Sequence, residues 1–274
     1  NRDHQKALVS KHIKELARSD SRRLMALVAY GATGNRLDDL WEQLRLYLEL
    51  DASDVVDINW RHLHFPEQRE KLGRDLEDEL KLQLEIENNE PVKHLLRRHG
   101  PRVIGTGKRG VLWLNWGVFG KGGDRQAPLY SRDLGEWLRF SSEFLGTHCP
   151  ADLRIVSFVA IETEESGHKK LGKILKEYRG RPWCRSPVFR LSSLPPLGKI
   201  SEDDLYDFLD DPAYSNCDPG IHAEVVGLLV EETGGNFEQI TALIDEANKG
   251  SWYSLLEKLG GKPDFNKIED DEPL

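Results

Sequence analysis

The chain is short of several things, and each shortage excludes something. It has only three cysteines, Cys149, Cys184 and Cys217, odd in number and far apart. They supply no disulfide framework and no CxxC metal pair, so a reducing cytoplasm is the expected compartment. No apolar run approaches the ~18 residues that a membrane span needs, so no membrane association is expected. There is no GxSxG elbow for serine-based hydrolysis. No internal repeat appears, and the acidic tail is the one biased tract. General disorder is also excluded, since 38% of residues are hydrophobic and 31% charged, the balance of a globular protein.

What the chain has in excess is charge, unevenly placed. Residues 200–274 hold 19 acidic and 4 basic side chains, a net of −15, against −9 for the whole chain and so +6 for residues 1–199. The break falls near Leu194-Pro195-Pro196-Leu197. A basic front of 1–195, an acidic helical lid of 196–262 and an acidic flexible tail of 263–274 are therefore expected.

The front alternates apolar runs with helical periodicity. Runs at Leu24–Tyr30, Asp54–Trp60, Gly110–Trp116, Asp152–Ile161 and Pro187–Leu191 read as five strands. Helical patterns cover Asp3–Ala17, Pro66–Leu84, His94–His99, Asp133–Leu145 and Glu165–Tyr178. Strands alternating with helices predict an α/β fold with a parallel five-stranded sheet flanked by helices. The strand at Leu24–Tyr30 is expected to lie centrally. Beyond Ile200 the pattern is helical throughout, with Ser201 as an N-cap and Thr233-Gly234-Gly235-Asn236 as a stop followed by a new cap.

The first strand turns on Gly31 and Gly34 into a helix carrying Leu37, Leu40, Leu44 and Leu48. Phosphate-binding loops occupy such a strand–glycine–helix junction, because backbone N–H groups and the helix N-terminus converge there. Against the common form GxxGxGKTTL, Gly31, Gly34 and Leu40 align without a gap. The third glycine is replaced by Arg36, the phosphate-gripping lysine by Leu37 and the magnesium-binding hydroxyl by Asp38, with Asp39 next. Two carboxylates at a helix N-terminus complement its dipole and repel a triphosphate. Nucleotide hydrolases end a later strand in an acid that holds the metal through water. Here that run ends at Asn115, between Trp113 and Trp116, and an amide is neither a good magnesium ligand nor a base. The alternative is an ordinary βα turn with ordinary core tryptophans.

Two basic clusters stand out. One holds Lys93, Arg97, Arg98, Arg102, Lys108 and Arg109; the other holds Lys169, Lys170, Lys173, Lys176 and Arg181, with Arg179 and Arg185 nearby. They read as a nucleic-acid face, with Tyr178 and Trp183 available to stack, as solvated helix faces, or as cut sites for an Arg-selective protease. His62 and His64 share one face of a strand but lack a third ligand, so no metal is expected. Cys149 beside His148 could suggest a thiol nucleophile, but adjacent residues rarely point at each other.

Taken together these segments resemble the inactive STAND domain, a degenerate branch of the AAA+-related signalling ATPases. NRDHQ at residues 1–5 resembles its short N-terminal motif, YGATGNRLDDLWEQL its eroded phosphate loop and VLWLNWGVF its tryptophan-rich third strand. CPADLRIVSFVAIE resembles its fourth strand, FRLSSLPPLGKISEDDLYDFL its passage into the lid, and TGGNFEQITALIDE a lid helix. Residues 51–110 carry little of the likeness. The resemblance implies a P-loop-NTPase-like fold and a non-catalytic domain of bacterial conflict and defence systems, without a cofactor. It implies a protein partner such as a caspase-like, CHAT or trypsin-like protease, or a component of its pathway. A nucleotide-sensing switch that binds without hydrolysing and a nucleic-acid-binding protein are the alternatives.

Overall fold

The computed structural model describes residues 2–32, 35, 37–58, 69–86, 90–99, 111–119, 134–210 and 215–261. They divide into two compact units, one formed by residues 2–197 and the other by residues 198–261 together with Asn35.

The first unit is a five-stranded sheet, parallel throughout, in the order β2-β3-β4-β1-β5. Its strands are β1 (Leu24–Gly31), β2 (Val55–Asp57), β3 (Val111–Phe119), β4 (Arg154–Glu162) and β5 (Phe189–Ser193). Every residue of β1 and β4 is buried, as expected where helices cover both faces of a parallel sheet. The first strand is interior, held by β4 and β5, but β4 occupies the middle. The central placement expected for residues 24–30 is thus off by one strand.

Period-two alternation sorts the strands' side chains between two cores. Met25, Leu27 and Ala29 join Trp113, Val156 and Phe158 on the face covered by α1 (Arg2–Arg18) and α2 (Leu37–Tyr47). Ala26, Val28 and Tyr30 join Leu114, Trp116 and Val159 on the other. That second face is covered by α3 (Arg69–Gln83), α4 (Val92–His99), α5 (residues 134–148) and α6 (Glu165–Arg179). A π-type turn at Phe140–Phe144 interrupts α5, and both Ser141 and Ser142 point inward. Ser141 donates to Ser157 Oγ, which also accepts from Trp116 Nε1 at 2.9 Å, while Ser142 donates to the Trp183 carbonyl.

At the N-terminal edge of the sheet, Arg154 is 1% exposed. Its guanidinium donates to the carbonyls of Ser19, Ala151 and Leu153 at 2.7–3.1 Å. Two loops distant in sequence thereby share one buried cation.

The C-terminal unit is helical: α7 (Glu202–Leu209), α8 (His222–Thr233), α9 (Phe237–Lys249) and α10 (Trp252–Lys258). Leu205, Val226, Leu229, Ile240, Ile244 and Leu256 form its core. Ser201 caps α7 in a capping box with Asp204, and Asn236 caps α9. Between α8 and α9, Gly234 and Gly235 take φ of 58° and 79°. A Cβ on Gly235 would lie 2.7 Å from the Ile200 carbonyl, so glycine is required there by both conformation and space.

Candidate functional site

In open parallel sheets ligands bind outside the carboxyl ends of the strands, so this edge is where a nucleotide site belongs. Here β1 ends at Gly31, whose carbonyl accepts from Thr163 N at 3.0 Å. Gly31 is in register with Glu162 of β4 and bridges Leu197 on its other side. The Tyr30 carbonyl accepts from Leu197 N. The strand end that would feed a phosphate loop is therefore held on both flanks by backbone.

Beyond it, Asn35 is buried at 6% exposure; Gly34 and Arg36 lie outside the described residues. Leu37 opens α2 and is wholly buried. It belongs to the apolar cluster of Leu40, Leu44, Trp113 and Phe158. The position of the missing lysine is thus a core position, and an ammonium there would be desolvated. Asp38 and Asp39 fall in the first turn of α2, the dipole-complementing end; their side chains lie outside the described residues.

The third strand differs from the sequence expectation. It does not stop at Trp116 but continues to Phe119 through an irregularity between Asn115 and Val118. Gly117, at φ 77°, takes the left-handed conformation of that bulge. Asn115 Nδ2 donates to Asp57 Oδ1 at 2.7 Å, and its Oδ1 accepts from Gly117 N at 3.1 Å. Its backbone carbonyl accepts from Ile58 N. Both ends of the amide are engaged in joining β2 to the bulge, a task for a group that donates and accepts at once. A carboxylate could do only half of it.

Trp113 and Trp116 are buried on opposite faces. Trp113 packs near Trp41 and Phe158, with ring centroids 5.7 and 6.5 Å away. Both indoles are core residues.

Sequence reasoning missed two carboxylates on this edge. Asp57 ends β2, exposed beside Asn115, and Glu162 ends β4, 6% exposed. The signal was available: both are acids closing an apolar run. One strand separates theirs in the sheet, and among the described residues no group of three or more His, Cys, Asp or Glu could hold a metal ion. His62 and His64 lie outside the described residues. Tyr30 stacks edge-on against His168 with centroids 5.7 Å apart, and burial raises its phenol pKa.

The thiols are set apart from chemistry. Burial pushes Cys149 and Cys184 up to about 11 and Cys217 to about 12. His148 turns from Cys149: its Nδ1 lies 2.8 Å from the Phe144 carbonyl and its ring stacks on Phe144.

No protein-family model matches the chain, and no curated protein matches it in sequence. Solved structures do. The ORC2 protein of Aeropyrum pernix in its ADP form is 11% identical, with a TM-score of 0.47 over 94% of this chain and 64% of that one. Cdc6p of Pyrobaculum aerophilum is 14% identical, with a TM-score of 0.49 over 95% of this chain and 63% of that one. A STAND protein of Pyrococcus horikoshii with a tetratricopeptide repeat sensor is 10% identical, with a TM-score of 0.38 over 90% of this chain and 31% of that one. The chain thus spans slightly under two thirds of the ORC2 and Cdc6p chains. No helix among the described residues is long and apolar enough to cross a membrane.

The basic clusters fare differently from one another. On α4, Arg98 pairs with Glu90 at 3.0 Å and Arg97 with Asp152 at 3.6 Å, leaving Lys93 exposed. Arg102, Lys108 and Arg109 lie outside the described residues. On α6, Lys169, Lys170, Lys173 and Lys176 are all exposed, as are Arg181 and Arg185 just beyond it, while Leu171 and Leu175 face the core. Lysines 169 and 173, 170 and 173, and 173 and 176 are helical neighbours of like charge. Such pairs are destabilising by about 0.2–0.5 kcal/mol each at low salt.

Proposed function

We propose that the chain is a non-catalytic, P-loop-NTPase-like signalling domain that works by binding another protein. The observation that carries this is Leu37, wholly buried in the apolar cluster at the point where nucleotide binding needs a lysine. Asn115 supports it, since its amide is engaged by Asp57 and Gly117 where hydrolysis needs a free acid. A parallel α/β sheet whose nucleotide chemistry has been replaced by packing serves as a rigid scaffold, and the helical C-terminal unit offers a separate surface. On the resemblance to inactive STAND domains, the setting is a bacterial defence or regulated-proteolysis pathway. The partner is then a caspase-like, CHAT or trypsin-like protease, or its pathway component.

The test has two arms. Isothermal titration with Mg·ATP and Mg·GTP, alongside phosphate release, is expected to give neither binding heat nor turnover above a buffer blank. Turnover would sink the non-catalytic reading, and micromolar Mg-dependent affinity would replace it with a nucleotide-sensing switch. The second arm mixes the purified chain with a caspase-like, a CHAT and a trypsin-like protease in turn and follows complex formation by analytical ultracentrifugation. A stable complex, or discrete cleavage, is expected; two species sedimenting independently with the chain uncut would refute the partner assignment.

A further inference from the structure

Neither packing nor the proposed scaffold role explains the lysine face of α6. Lys169, Lys170, Lys173 and Lys176 are exposed, and none makes an ion pair with a described residue. Of the acids on the helix, Glu165 precedes Lys169 by four positions, the favourable order for a helical pair, and Glu177 follows Lys173 by four, the less favourable one. Lys169 and Lys170 sit in the N-terminal half of the helix, where the dipole gives a cation no help. Three like-charged neighbour pairs stand against one favourable acid–lysine spacing, so the stripe is net unfavourable to its own helix, in a chain whose net charge is −9. Lys169 and Lys173 are about 6 Å apart along the axis and Lys173 and Lys176 about 4.5 Å. Arg181 and Arg185 continue the positive surface past the helix end.

We infer that this face binds the phosphate backbone of a nucleic acid. A repeating anion relieves the mutual repulsion of the lysines, and releases its own counterions on doing so. A protein partner fits less well. Protein interfaces are depleted in lysine and are anchored by aromatic or aliphatic side chains in their centre. The exposed large hydrophobics among the described residues are Leu46, Tyr47 and Leu82, none of them on α6. Contacts of this kind position a backbone without reading bases, so the binding is expected to be sequence-independent. This inference stands apart from the scaffold reading, because α6 is distant in the sequence from Leu37 and Asn115 and uses neither.

Fluorescence anisotropy of a labelled DNA duplex of scrambled sequence tests it on the full chain. Four phosphate contacts predict a slope of log K against log salt near −3.6 and a loss of affinity on the order of 10²-fold between about 50 and 200 mM salt. Replacing Lys169, Lys173 and Lys176 together by Gln should weaken binding at least ~10-fold at low salt and flatten the slope by about 2.7. The control variant, Lys93, Arg97 and Arg98 to Gln on α4, should bind as wild type. Circular dichroism and a melting curve accompany each variant; all three lysines are exposed, so the fold should be retained. The inference is overturned if wild type does not bind at low salt, or if the α6 variant binds as wild type. It is equally overturned if the α4 variant is the one that loses binding, or if poly-glutamate of matched charge competes as well as DNA, which would assign the face to an acidic protein segment.

Discussion

If Leu37 is a core residue rather than a merely absent lysine, then restoring the lysine should damage the protein and not repair a site. In Leu37→Lys the side chain must either leave its ammonium in the cluster of Leu40, Trp113 and Phe158 or draw its stem out toward the loop. The first course desolvates a charge; the second exposes what the leucine buried, worth about 1.5–3 kcal/mol, and leaves a cavity. Since lysine stems can follow an apolar surface outward, the second course limits the damage, and a loss of about 2–4 kcal/mol is expected. For a unit of this size that is a fall in Tm of roughly 4–16 °C. Leu37→Met, which keeps volume and polarity, should cost under about 1.5 kcal/mol. Urea unfolding of the three proteins, with unchanged m, reads the difference. A buried lysine has its folded-state pKa depressed below the unfolded value of about 10.4, so the penalty is full at neutral pH and shrinks as pH rises toward ~10. The reasoning fails if Leu37→Lys lies within ~1 kcal/mol of wild type, or if the variant gains Mg-dependent ATP affinity.

Three further outcomes are expected. Glu49 and Glu85, at φ 52° and 53° just past the ends of α2 and α3, occupy left-handed caps closed by bonds from Leu50 N to the Arg45 carbonyl and from Ile86 N to the Lys81 carbonyl; Glu49→Gly and Glu85→Gly should each stabilise by about 0.5–1 kcal/mol in urea unfolding, and a loss of stability would mean the side chains carry contacts of their own. Arg154→Met leaves three carbonyls short of a donor and should cost about 3 kcal/mol or more, with accelerated amide exchange at the Ser19 and Ala151 loops; exchange unchanged there would refute its role as a shared clamp. The thiols, raised by burial to about 11–12, should resist an aromatic disulfide reagent at pH ~8 until the chain unfolds, and because their folded pKa values lie above the unfolded one, the stability they contribute should be intact below pH ~9 and lost as pH rises through about 11; rapid native-state labelling of any of the three would contradict it.

Five apolar runs between turn signals were enough to read five parallel strands, because a strand covered on both faces writes itself as an unbroken apolar segment. The ends were less legible. The apolar run Gly110–Trp116 breaks at Gly117, and only the pairing with β4 reveals the bulge that carries the strand on to Phe119. The sequence shows an amide at Asn115 where hydrolases carry an acid, and only the fold shows that this amide serves Asp57, 58 residues away. Leu37 was noticed for what it lacks, and only burial shows what it does. The two basic clusters look alike in sequence, yet Glu90 and Asp152 pair with one and no described acid with the other. Pairings between elements set these meanings, and local periodicity does not report them.

The sheet order also governs how the chain is made. Of the five strands of this sheet, the first to leave the ribosome pairs with β4 and β5, the last two of the five. Leu24 waits for Ile155, about 130 residues of synthesis, or roughly 7–26 s at ~5–20 residues per second. Throughout that interval LMALVAYG has both edges open and every side chain apolar or small, a segment prone to meet its copy on a neighbouring nascent chain. Arg22 and Arg23 stand immediately before it, where charge hinders such pairing. The arrangement makes the protein's yield during expression, more than its final stability, sensitive to those two positions and to any truncation that removes β5.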